Sequence, residues 1–160
     1  MSHSVKFQYV HGSITLQVAH SLGFLNRDVR PDNMLVHSYT GLPYLVDWGS
    51  AAERSDIAGS YEGTVHYSAA RILRQLALNS QTVTFTTADD LESLVCSAFC
   101  LSHPDLQAQL ELISKSQVDQ IQDWWQQNVW QQRSCWHEAV EVARKNDYQG
   151  VVFWLQKLMQ

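Results

Sequence analysis

Cysteine is scarce in this chain, three in 160 residues. Cys96 and Cys100 are spaced to share one helix face and Cys135 lies far away. That is too few for a disulfide framework, and nothing has zinc spacing, so buried thiols are expected. No apolar run approaches the length of a membrane span, and the opening Met-Ser-His-Ser-Val-Lys has no signal-peptide layout. A cytoplasmic or nuclear location is the expectation. Basic residues are not in excess: 11 against 16 acidic, a formal charge of −5, which gives no reason to expect nucleic acid or an anionic membrane as partner. Histidines 3, 11, 20, 37, 66, 103 and 137 show no paired spacing and read as scattered surface or loop residues. There is no internal repeat and no low-complexity linker. With 45% apolar and 17% charged residues, the chain has the composition of a folded domain, and its length suits one domain over 1–160.

What is present is mainly helical periodicity around one small β-hairpin. Ser13 is placed to cap a first helix in "SITLQVAHSLGFL", with Ile14, Val18, Leu22 and Leu25 close to one face. Two short strands follow, "MLVH" and "YLVD", joined by "SYTGLP", whose Gly41 and Pro43 suit a turn. From Asp47 to about Tyr67 the chain has little periodicity and reads as a long loop, functional or mobile. The clearest helix lies in "TADDLESLVCSAFCL". Thr87 is the expected cap, Asp90 stands three positions later, and Leu91, Leu94, Val95, Ala98 and Phe99 form its core-facing stripe. Further helices are expected at 105–115, 117–132, 134–145 and 148–159. The Gln/Trp-rich stretch 117–136 offers Trp124, Trp125, Trp130 and Trp136 either to core packing of these lower helices or to an interaction surface.

Three polar groups carry chemistry in the first third: Asp28, Asn33 and Asp47. A carboxylate that ends a strand and is followed by Trp-Gly, as Asp47 is, is well placed to meet a metal ion, because glycine lets the backbone turn sharply away. Asn33 offers a neutral oxygen to the same ion, and magnesium needs few protein ligands because it keeps water and phosphate oxygens. Asp28 is then free to orient a hydroxyl nucleophile and accept its proton.

In order along the chain, "NRDVRPDN", "DWG", "GTVHYSAARIL" (63–73), "DDLESLV" (89–95) and, more weakly, "NDYQGVVFWL" resemble the C-terminal lobe of eukaryotic protein kinases of casein-kinase-1-like flavour. The first is similar to the catalytic loop, the second to the metal-binding D-F-G, the third to the close of the activation segment and the fourth to the helix that anchors the lobe. The resemblance implies a kinase-like C-lobe only: a helix before the catalytic loop, the loop, the metal motif, the activation segment and C-terminal helices. By position, Asp28 matches the catalytic base and Arg30 the residue that contacts the transferred phosphate. Asn33 and Asp47 match the magnesium ligands that present ATP. Arg27 matches the arginine that reads a phosphorylated activation loop, with Ser50, Ser55, Ser60, Tyr61 and Thr64 as acceptors. Asp90 matches the structural aspartate that hydrogen-bonds the catalytic-loop backbone, and Trp48 is expected to pack.

The departures are as informative. Asn26 stands where the loop has histidine. Ala69-Ala70-Arg71 replaces A-P-E, so a swapped pair of Arg71 with Glu138 or Glu141 is the substitute considered. No G-x-G-x-x-G loop, V-A-I-K lysine or partner glutamate precedes these motifs, and half of the positioning and charge stabilisation of phosphoryl transfer comes from that missing N-lobe. Two functions follow. One is a Ser/Thr kinase-like transferase, dependent on magnesium and ATP, that acts on protein hydroxyls when an N-lobe is supplied in trans and is weak or inactive alone. The other is a non-catalytic, pseudokinase-like binding module. Either leaves an apolar surface uncovered, which implies a protein partner, a dimer or poor solubility.

Overall fold

The computed structural model describes residues 3–40, 43–54, 58–78, 80, 82–130 and 134–158. In chain order these form α1 (His3–Ser21), β1 (Phe24–Leu25), a 3-10 turn (Pro31–Asn33), β2 (Met34–Val36), β3 (Pro43–Leu45), β4 (Ala52–Glu53) and β5 (Ala58–Gly59). A second 3-10 turn (Val65–Tyr67) leads into α2 (Ala70–Ala77), β6 (Val83–Thr84), α3 (Thr87–Ser102), α4 (Pro104–Glu111), α5 (Val118–Asn128), α6 (Cys135–Arg144) and α7 (Tyr148–Leu158). The fold is mainly helical with small antiparallel sheets. Among the described residues no helix is long and apolar enough to cross a membrane.

The expected hairpin is β2 with β3, in the register Met34↔Leu45, Leu35↔Tyr44 and Val36↔Pro43. Met34 and Leu45 are buried while Leu35 and Tyr44 face solvent, which is the period-2 alternation of a sheet with one wet face. Gly41, expected in its turn, lies outside the described residues. The stretch read as an irregular loop carries two more strands: β4 pairs with β1, and β5 pairs with β6. Two-residue strands have no readable alternation, so periodicity could not reveal them.

Helix α3 is the centre of the core. Leu91, Leu94, Val95, Ala98 and Phe99 are all buried, as the stripe implies. So are Asp89, Asp90, Glu92, Cys96, Ser97 and Cys100, so the helix is covered nearly all round rather than on one face. Its cap sits one residue earlier than expected. Thr86 and Asp89 form a reciprocal capping box, which releases Asp90 for another task. Burial pushes the Cys96 and Cys100 thiols up from their ordinary range, the behaviour of inert core thiols, while Cys135 is exposed.

The first helix differs most from its expectation. It begins ten residues before Ser13, which is not a cap but a buried mid-helix residue whose hydroxyl has no hydrogen-bond partner. The buried face of α1 runs through Gly12, Ser13, Leu16 and His20, and the face of Ile14, Val18 and Leu22 is 48%, 54% and 70% exposed. Small residues decide this. A Cβ on Gly12 would sit 2.7 Å from Met34 Cε and 3.0 Å from Leu94 Cδ1, so α1 approaches α3 and the hairpin through its least bulky side. Leu25 is buried, but in β1 rather than on the helix.

The lower helices lie close to the expected spans, and α4, α5 and α6 end one to four residues earlier, because terminal turns fray into short-range bonding; residue 159 lies outside the described residues. The tryptophans pack inward: Trp125 is fully buried and its Nε1 donates to the His66 carbonyl at 2.7 Å, and Phe99 meets Trp124, Trp125 and Trp136 edge to face. His20 and His66 are buried and hydrogen-bonded rather than on the surface, His66 Nε2 lying 2.7 Å from the Ile113 carbonyl.

Arg71 does not meet Glu138 or Glu141. It binds the Asp89 carboxylate at the start of α3 and the Thr84 carbonyl in β6. The buried glutamate–arginine pair is instead Glu92 with Arg144: the guanidinium reaches Oε1 at 2.7 Å and Oε2 at 3.1 Å, and the Ala70 amide donates to Oε1 at 3.2 Å. One carboxylate thereby ties α2, α3 and α6. Truncating one member of such a pair strands a buried charge. Arg144→Met is therefore expected to lower unfolding stability by about 3 kcal/mol in urea denaturation, and Glu92→Gln in the same chain to recover part of it.

Candidate functional site

The site is built where β1, the start of α3 and the end of the hairpin converge on the loop 26–33. Asp90, in the first turn of α3, turns its carboxylate towards that loop and is 3% exposed. It accepts from the Asn26 amide at 2.7 Å and the Arg27 amide at 2.8 Å, and lies 2.9 Å from His20 Nε2. Arg27 has φ +70°, a left-handed conformation that costs a residue with a Cβ roughly 1–2 kcal/mol. Charge-assisted hydrogen bonds from a buried carboxylate are of the right size to hold it there.

The turn at Arg27 aims Asp28. Asn26, which is buried, accepts the Asp28 amide on its Oδ1 at 3.1 Å, while its Nδ2 has no partner among the described residues. The Asp28 carboxylate is held from three directions. Its Oδ1 accepts the Thr64 amide at 2.7 Å, and its Oδ2 accepts Asn33 Nδ2 at 3.2 Å and lies 3.5 Å from Arg30 Nε. Asn33, at the end of the first 3-10 turn, also donates to the Asp28 carbonyl at 2.9 Å, so the amide oxygen is the end of its side chain left out of this linkage.

Asp47 reaches the site through the backbone. Val46 donates to the Asn33 carbonyl at 2.9 Å, which sets Asp47 one residue beyond Asn33's neighbour. Asp47 has φ +58° and an exposed carboxylate whose Oδ1 accepts the Gly49 amide at 3.3 Å. Trp48 packs against the core and donates to the Leu45 carbonyl at 3.1 Å. Among the described residues three non-glycines have positive φ: Arg27, Asp47 and Asn146. Asn146 follows α6 at a position where asparagine is tolerated. The other two flank this site, and left-handed backbone at residues that resist it clusters where geometry is held for a purpose.

Of the residues singled out in the sequence, Asp28, Arg30 and Asn33 are therefore in direct contact, Asp90 underpins their loop, and Asp47 is joined by the hairpin. Arg27 turns to the segment after the hairpin. Its Nε donates to the Ser50 carbonyl, its guanidinium lies 3.5 Å from Glu62 and 4.9 Å from the centre of the Phe85 ring. Of the hydroxyls expected to be read by Arg27, Tyr61 is turned inward against Ser68, and burial pushes its pKa well above the ordinary value. Ser55 lies outside the described residues. Among the described residues no cluster of three or more His, Cys, Asp or Glu is arranged to hold a metal ion.

The sequence did not point to Thr64 as the partner of Asp28, because the contact is made by a backbone amide 36 residues away. Gly63 was the available signal: a Cβ there would come within 2.2 Å of the Arg27 carbonyl, so only glycine lets the two segments touch. Gly63→Ala is expected to push the Thr64 amide off Asp28 and to cost about 2 kcal/mol, measured by denaturation together with faster hydrogen exchange at Thr64. No protein-family model matches the chain.

Proposed function

We propose that the chain is the C-lobe of a Ser/Thr protein-kinase-like fold and carries the acceptor half of a phosphoryl-transfer site. The observation that carries this reading is the three-way anchoring of Asp28 by Thr64, Asn33 and Arg30. It fixes one carboxylate where the loop 26–33 meets the segment at Thr64, as a group must be fixed if it is to orient a hydroxyl. In the proposed reaction a protein Ser or Thr hydroxyl approaches Asp28. Its oxygen bonds to the terminal phosphorus of ATP, the bond to the ADP oxygen breaks, and the hydroxyl proton passes to the carboxylate. Arg30, with about a third of its side chain open to solvent, offsets charge on the transferred group.

The residues that would hold magnesium are Asn33, through its amide oxygen, and Asp47, through its exposed carboxylate. One amide and one carboxylate suit an ion that keeps water and phosphate oxygens, and the chemistry it supplies there is neutralisation of phosphate charge. A kinase N-lobe would complete the nucleotide site. With Mg-ATP at roughly ten times its Kd, the melting temperature is expected to rise by about 3 °C, and Asp47→Ala is expected to abolish the rise. Transfer to a generic protein substrate should appear only on addition of a kinase N-lobe and vanish in Asp28→Asn. A wild-type chain that transfers no phosphate at millimolar Mg-ATP even with an N-lobe added would sink the catalytic reading.

One observation bears on the alternative, a non-catalytic binding module. The solvent face of α1 carries Ile14, Val18 and Leu22, and with Phe24 and Trp48 they line an open apolar groove of about 440 Å³. An uncovered apolar face of this kind is where a protein partner or a second copy sits. Sedimentation of the isolated chain is expected to reveal concentration-dependent self-association, and Val18→Glu with Leu22→Glu to return it to monomer. A wild type that stays monomeric at high concentration would count against a dimer on this face.

A further inference from the structure

Tyr148, the first residue of α7, lies far from the loop 26–33 in sequence and is joined to it through the protein interior. His20 Nδ1 is 2.6 Å from the Tyr148 hydroxyl, and His20 Nε2 is 2.9 Å from Asp90 Oδ2. The same Oδ2 accepts the Asn26 amide, and Oδ1 accepts the Arg27 amide. His20 and Asp90 are each 3% exposed. A chain of hydrogen bonds thus runs from the C-terminal helix, through α1 and the head of α3, to the two residues that precede Asp28.

The direction of each proton follows from the partners. Asp90 already accepts two backbone amides, so it acts as an ionised acceptor, and His20 Nε2 must carry the hydrogen that faces it. In the neutral ring Nδ1 is then bare and takes the Tyr148 O–H. Burial raises the Tyr148 pKa above its ordinary value, which keeps that hydroxyl proton in place. Thr87 is a second side-chain partner of the Tyr148 hydroxyl, and in the neutral ring the order cannot be reversed without leaving the carboxylate facing a lone pair.

The two oxygens of Asp90 do different work. Oδ2 is shared by His20 and Asn26, while Oδ1 serves Arg27 alone, the residue whose left-handed backbone aims Asp28. The imidazole therefore sets the plane of the carboxylate, and Tyr148 sets the imidazole. Without the hydroxyl, a buried Nδ1 loses the donor it has among the described residues and the ring is free to change tautomer or rotate, with the strained Arg27 turn downstream of it.

We propose that Tyr148 is a positioning residue: through His20 and Asp90 it holds the loop that presents Asp28, so that docking of α7 and the aim of that carboxylate are coupled. The role of Asp28 rests on the phosphoryl-transfer reading above. The coupling itself is read from the loop and not from turnover, so loss of Mg-ATP binding would leave it standing.

The first measurement uses the unaltered chain. Long-range proton–nitrogen correlation at His20 is expected to find Nε2 protonated and Nδ1 bare, and the opposite tautomer would overturn the proposal. The second compares amide exchange at Asn26 and Arg27 in two variants. Tyr148→Phe, which removes only the hydroxyl, is expected to speed exchange at both amides about tenfold. The reference is Ser134→Ala, which removes the α6 cap that accepts the His137 amide at 2.9 Å and so loses comparable stability away from the chain. It should leave both amides within about twofold of wild type. Equal acceleration in the two variants, or none in Tyr148→Phe, would show that Tyr148 contributes only general stability.

Discussion

A buried charge must find a partner, and α3 buries three carboxylates. Leaving any of them unpaired would cost several kcal/mol, so each one commits a different segment of chain to the helix. Asp89 closes the capping box and binds Arg71, next to β6. Asp90 takes the loop after β1. Glu92 takes α6 and the first amide of α2. Ser97, one turn further on, donates to the Val29 carbonyl at 3.1 Å and binds the same loop from beneath. The apolar residues of α3 drive collapse, but they would tolerate neighbours in several orientations. These four polar side chains fix which segment lies where.

The candidate site inherits its geometry from that arrangement. The loop 26–33 has few apolar side chains of its own to bury beyond Val29, so its shape is imposed through hydrogen bonds from Asp90 below, Asn33 within and Thr64 across. Three short contacts from rigid elements hold a carboxylate more firmly than a loop can by itself. Left-handed backbone at Arg27 and Asp47 is tolerated for the same reason: the surroundings leave no relaxed alternative. The site is thus stiff where Asp28 sits and open where Asp47 is exposed, an asymmetry in keeping with the proposed half-site that waits for a second lobe.

Much of the element pattern was legible before any coordinates. A period-3.6 stripe located α3, further helices were expected close to α4 to α7, and the hairpin followed from two apolar runs around a turn, because these signals are local. The errors have physical causes. The orientation of α1 was misjudged because apolar content was equated with burial, whereas Gly12 and Ser13 let that side of the helix pack closest. Arg71 was matched with α6 because a distant pair was sought, while Asp89 stood beside it in space and Arg144 met Glu92 instead.

The sequence by itself determined the helical class, the hairpin, the apolar stripe of α3 and the set of polar residues gathered in the first third, since residue type and spacing along the chain are enough for each. Only the tertiary structure decided which of those polar groups touch. Thr64 reaches Asp28 by a backbone amide, and the Tyr148–His20–Asp90 chain joins three helices through the core. Backbone donors are the same in every residue, and contacts between distant segments depend on how helices stack, so neither leaves a mark in a linear pattern.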